Sequence, residues 1–168
     1  PRALVFEMLT EAQAARVTPE LIADAEAMEA TLDWSESGWP DFAMYHPIFA
    51  AVPEAEIFGA HVPREAARQV FEDGAAANFD GNATRYGLTE PLSPEEQEAR
   101  EAAQMAAHCD ALPEDILPDM VAVQRLRDAV MARAVVRAMD ETGGPVAVIT
   151  GNGHARRDHG VPATLEIA

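Results

Sequence analysis

The 168-residue chain has no lysine: its twelve basic residues are all arginine, set against 29 acidic residues for a formal charge of −17. A surface of that sign repels phosphate backbones and anionic membranes instead of releasing counterions from them, so no nucleic-acid partner is expected. One cysteine, Cys109, precludes an internal disulfide and leaves the redox compartment open. No apolar run approaches the ~20 residues of a membrane span, and no basic-then-apolar signal pattern opens the chain. Also missing are Cys-x-x-Cys-His, HExxH, GxSxG, a P-loop and GxGxxG, which sets aside c-type haem attachment and the readily recognised protease, hydrolase and nucleotide-binding classes. No internal repeat is present.

At 18.1 kDa the chain fits one domain, 1–168. A domain of this size buries roughly 70% of its unfolded surface, enough for a core without staples. Three short apolar runs, 3–6, 55–60 and 145–150, are flanked by polar or turn residues and read as buried strands. Between them the pattern turns helical. Thr18-Pro19-Glu20 supplies an N-cap and a Pro at the first helical position, with Leu21, Ala25, Met28 and Leu32 following on one face. Ser93-Pro94-Glu95-Glu96 is a capping box for a helix running toward Cys109. Pro118 opens the longest helix, which Gly143-Gly144 ends. Strands alternating with helices predict an α/β protein, a three-layer α/β/α fold with a mainly parallel sheet. Residues 78–91 mix Gly, Asn, Asp and Pro without periodicity and read as a long loop.

In open α/β sheets ligands bind beyond the carboxyl ends of the strands. That rule points to Glu7 after the first strand, His61 after the second and Gly151-Asn152-Gly153-His154 after the third. The two glycines let the backbone turn sharply and approach a ligand, while His154 is a base, a metal ligand or a propionate donor; a plain turn with a solvent-facing His satisfies the same pattern. Glu7 needs a partner or a polar cleft, and a structural partner such as Arg127 would serve equally. Residues 39–47 set Trp39, Phe42 and Tyr45 beside His46, which suits a flat apolar ligand with one coordinating atom and suits ordinary packing too. Gln124, Arg127, Asp128 and Met131 share one helix side, as a solvated or salt-bridged face does. Met105, His108 and Cys109 gather near a helix end.

Taken in order, several of these pieces resemble the ChaN-like haem-binding family of the superfamily that holds Tiki-type proteases, TraB proteins and erythromycin esterases. They are Phe6-Glu7-Met8, Gly38-Trp39-Pro40 with Tyr45-x-Pro47, Gln124-x-x-Arg127-Asp128-x-x-Met131-Ala132, and Gly151-Asn152-Gly153-His154 with Gly160-Val161-Pro162. The resemblance implies haem as cofactor, a surface tyrosine as iron ligand, a homodimer formed on haem binding, and a role in haem or iron uptake. It places the ligand at Tyr45, with Trp39, His154, Asn152 and Arg127 as further cofactor contacts. Tyr86 is the other tyrosine and sits in the long loop, as accessible by sequence.

The family's opening strand with Gly-Glu-x-His-Asp would lie upstream of Pro1, and a final strand is expected beyond Gly160-Val161-Pro162. The chain is therefore expected to lack its N-terminal strand and C-terminal end. The resemblance also implies a bacterial periplasmic protein or outer-membrane lipoprotein, its anchor upstream, with an outer-membrane haem receptor as partner. A second expectation, from the superfamily's enzymes, is a metal-dependent hydrolase using Glu7 and His154 as ligands or as acid and base.

Overall fold

Ala3–Phe6 forms β1, and all four of its residues are buried, as a central parallel strand requires. In the computed structural model, which describes residues 1–168, β1 is flanked on either side by β2 (Glu56–Gly59) and β3 (Val146–Ile149) in the order β2-β1-β3. Both pairings are parallel, with Ala3 opposite Glu56 and Val146, and Phe6 opposite Gly59 and Ile149. The mixed α/β class and parallel sheet agree with expectation; the two outer strands are shorter than their apolar runs.

The sheet lies in the first of two compact units, which comprises residues 1–61 and 133–151. Short helices α1 (Glu11–Ala14), α2 (Pro19–Ile22), α3 (Ala25–Thr31) and α4 (His46–Ala50) supply the rest of its core, where Leu4, Phe6 and Leu9 pack with Met28, Leu32 and Phe49. Phe6 and Phe49 stack with ring centroids 4.2 Å apart and planes within 4°. Gly59 has no room for a side chain: a Cβ there would lie 2.2 Å from the Thr10 carbonyl oxygen.

The single helix expected from Thr18 to Leu32 is in fact two. Thr18 caps the first as expected, its hydroxyl accepting from the Leu21 N–H at 3.2 Å, but Asp24 starts another by accepting from the Ala27 N–H at 3.0 Å. A carboxylate that offers the backbone a local acceptor favours a fresh N-cap over helix continuation.

The second unit comprises residues 62–132 and 152–168. It holds α5 (Arg64–Ala77), α6 (Pro94–Ala107) and α8 (Val161–Ile167), while α7 (Leu117–Thr142) runs through both units. Ser93 and Glu96 form the expected capping box for α6. α7 has 26 residues and ends where Gly143 and Gly144 take φ of 71° and 62°, the left-handed region in which glycine carries no Cβ penalty. Residues 78–91 contain no helix or strand but are anchored: Phe79, Tyr86 and Leu88 are buried, and Arg125 donates to the carbonyls of Gly87 and Glu90. After Gly160 the chain forms a helix, with Pro162 in its first turn and the Thr164 N–H bonding back to the Gly160 carbonyl at 3.1 Å. No helix is long and apolar enough to cross a membrane.

Candidate functional site

In the first unit, Tyr45 follows a 3-10 turn, Phe42–Met44, that Asp41 caps by accepting from the Ala43 N–H at 2.9 Å. The turn buries Phe42 at 2% exposure and leaves Met44 at 67%. Trp34 fixes the segment from beneath, donating its indole N–H to the Pro40 carbonyl at 2.8 Å and placing its ring 4.9 Å from that of Tyr45. The His46 ring bonds the Ile22 carbonyl through Nε2 at 2.8 Å, so this imidazole is committed to structure. The Tyr45 phenol is half-buried and makes no hydrogen bond. Burial first, and then the negative charge of Glu7, push its pKa above the ordinary value. Trp39 is half-buried beside the His61 ring, with centroids 6.0 Å apart, and its indole N–H is buried without an acceptor. Such a donor costs about 1–3 kcal/mol until something accepts from it.

Also in the first unit, Glu7 is buried at the end of β1 with 8% exposure. Its Oε2 accepts from the Thr150 hydroxyl at 2.7 Å and from the Gly151 N–H at 2.8 Å. Thr150 is a site residue that sequence reasoning misses, although its place directly after β3 is the available signal. The sharp glycine turn expected at Gly151 and Gly153 is not what the backbone does. Neither residue takes a positive φ, and a Cβ at Gly153 would meet nothing within 4 Å.

In the second unit, His154 is buried at 7% exposure and not solvent-facing. Its Nδ1 lies 2.7 Å from Oδ1 of Asp128, itself 4% exposed, so the face of α7 that carries Asp128 is not a solvated one. With Asp128 ionised, Nδ1 is the donor of this bond. Burial pushes the Asp128 carboxyl up, and the hydrogen bond and charge of His154 oppose that rise. Gly160 and Val161 hold the His154 loop by its backbone, through Gly160 N–H to the Arg156 carbonyl at 2.9 Å and Val161 N–H to the His154 carbonyl at 2.8 Å. A Cβ on Gly160 would lie 2.3 Å from the His154 carbonyl oxygen.

Asn152 is exposed in the same loop, and Arg127 is half-exposed on α7 with neither hydrogen bond nor ion pair. Tyr86 is a correction: it is buried at 6% exposure, its ring edge-on to Phe79 at 5.2 Å, so it is not the accessible phenol that its loop position implied. The apolar neighbours Phe79 and Leu88 in the same loop draw it inward. His108 and Cys109 are exposed past the end of α6, with His108 Nδ1 on the Gln104 carbonyl at 2.8 Å. No group of three His, Cys, Asp or Glu side chains gathers as metal ligands.

The family model described as haem-binding uptake, Tiki superfamily, ChaN matches residues 1–165. The chain belongs to this ChaN family. No curated relative matches it. A solved structure described as "Cofacial heme binding to ChaN of Campylobacter jejuni" is similar over 98% of this chain, with a TM-score of 0.61 and 17% identity. At that identity the likeness to ChaN concerns the fold. The chain spans 62% of the length of that ChaN structure.

Proposed function

We propose that this protein binds ferric haem through the Tyr45 oxygen and serves haem or iron uptake. The observation that carries the reading is the state of Tyr45: a half-exposed phenol, held from below by Trp34, with no hydrogen bond to give up. Membership of a family described as haem-binding uptake supports it, as does the cofacial haem binding of the structurally similar ChaN from Campylobacter jejuni.

The residues fit the group. When bound, haem supplies a ferric iron for an anionic oxygen donor, a flat apolar face and two carboxylates. Tyr45 provides the oxygen, losing the proton that burial and Glu7 otherwise favour on it. Met44 provides exposed apolar surface next to it, and Trp39 an unpaired indole donor in the same segment. We further propose that haem draws two copies into a homodimer. A periplasmic or outer-membrane-anchored setting, with an outer-membrane haem receptor as partner, completes the proposal.

Titrating hemin into the wild type and Tyr45→Phe tests the ligand. A tyrosinate-type visible spectrum is expected for the wild type and its loss for the variant. An unchanged variant spectrum would move the iron to another residue, with exposed His108 next.

The buried Asp128–His154 pair favours a second reading, a hydrolase in which Asp128 orients His154 as a general base. Esterase or peptidase turnover that disappears in both His154→Ala and Asp128→Asn would promote it over the first.

A further inference from the structure

The second unit contains a cavity of about 450 Å³ that shares only Asp128 with the second reading and nothing with the first. That is within the range of small-molecule sites. Its wall has two characters: Leu88, Leu92 and Ile167 give an apolar side, and Arg100 and Arg125 a cationic one.

Arg125 is the informative residue. It is half-buried on α7, and its Nη2 donates to the main-chain carbonyls of Gly87 and Glu90. These bonds fix the guanidinium but bring no negative charge, and no carboxylate lies within ion-pair distance of it. Its Nε and Nη1 donors have no partner. Arg100 has only a loose i,i+4 contact with Glu96 at 3.6 Å.

Four carboxylates also line the cavity: Asp128 pairs with His154 at 2.7 Å, Asp158 with Arg156 at 2.9 Å, Glu96 accepts from the Ser93 N–H and hydroxyl at 3.3 Å, and Glu90 is exposed. Burial and the neighbouring charge of Arg100 both act against the Arg125 cation, with Glu96 a lesser opposing influence. A half-buried guanidinium with free donors and no counterion is a receptor for a planar anion.

We propose that this cavity binds a small amphipathic monocarboxylate, its head on Arg125 and Arg100 and its apolar body against Leu88, Leu92 and Ile167. The overall charge of −17 favours a single carboxylate over a polyanion, since each added negative charge meets the repulsion of the whole protein.

Calorimetric titration of the full chain with 4-phenylbutyrate tests this, with 4-phenylbutan-1-ol as the same body without charge and acetate as the charge without a body. Phenylbutyrate is expected to bind at least about tenfold more tightly than either control. Arg125→Gln releases the Gly87–Glu90 loop as well as the anion. Arg100→Gln and Ile167→Glu are therefore the deciding variants, the first with only a loose ion pair to lose and the second at 61% exposure. Each is expected to weaken phenylbutyrate about tenfold while leaving the circular dichroism and thermal midpoint unchanged. Equal affinity for acid and alcohol, no binding of the acid at millimolar concentration, or binding that both folded variants retain would each overturn the proposal.

Discussion

Replacing Gly160 with alanine puts a methyl group where the backbone leaves no space. The new Cβ would sit 2.3 Å from the His154 carbonyl oxygen and 2.7 Å from that of Arg156, and neither atom belongs to a flexible side chain that could swing aside. Relief requires moving the 154–156 backbone or the start of α8. Either shift disturbs the two hydrogen bonds from Gly160 and Val161 into that loop. Overpacking of this kind costs about 1–3 kcal/mol, and each misaligned backbone hydrogen bond adds about 1 kcal/mol. A loss of about 2–4 kcal/mol is a large fraction of the 5–15 kcal/mol typical of folded proteins. For a chain of this length it corresponds to a fall in Tm of about 5–15 °C.

Gly153→Ala is the matched control. It lies in the same loop, has an ordinary φ and would place its methyl in open space, so a change within about 0.5 kcal/mol is expected. Both substitutions restrict the unfolded chain equally, so their difference reports the folded state alone. Urea unfolding of the two variants side by side measures it. Equal stabilities would refute the claim that Gly160 is glycine because the His154 backbone presses on it.

Three further outcomes are expected. Ser93→Ala removes the hydroxyl half of the capping box on α6, leaving the Glu96 carboxylate on the backbone N–H, and should cost about 1 kcal/mol, read by urea unfolding. The Asp158 carboxyl is held down to about 2 by Arg156. A depressed folded-state pKa contributes stability above the unfolded value of 3.8, lost as pH falls through about 2. An NMR titration of Asp158 should show this low midpoint, and in Arg156→Gln it should return toward the ordinary carboxylate range. Haem-loaded protein should sediment as a dimer that tightens with salt, because a charge of −17 on each copy opposes pairing until it is screened; a monomer at high salt would exclude a shared-haem dimer.

The strands and helix caps were legible because each depends on a few adjacent residues. Ala3–Phe6 is a strand with the bounds its apolar run implies, and Ser93 and Thr18 cap the helices they were expected to cap. What escaped depends on atoms distant in sequence. Asp24 reads as one more polar residue on a helix until its carboxylate is seen to accept from Ala27. Tyr86 lies in a loop without periodicity, and its burial follows from packing on Phe79. Sequence puts the need for glycine at Gly151 and Gly153, whereas the steric demand falls on Gly160, seven residues after Gly153, where α8 returns to the His154 loop. Thr150 and Arg125 carry no motif; they matter because one faces Glu7 and the other opens on a cavity. Glu7 is legible as a carboxylate out of place and His154 as a strand-end candidate, whereas Asp128 reads only as part of a solvated or salt-bridged helix face, and its pairing with His154 is not legible.

β3 is hydrogen-bonded to β1 alone and half-exposed along its whole length, so one row of its amides and carbonyls faces outward. An open strand edge of this kind is a template on which an extended segment of another chain can grow. Two features oppose that fate. The edge is only four residues long, with Pro145, which has no N–H, immediately before it. Colloidal repulsion between like-charged copies also keeps strangers away at low ionic strength. The same repulsion fades in concentrated salt, so the conditions that favour a haem-bridged pair also lower the barrier to edge-to-edge aggregation.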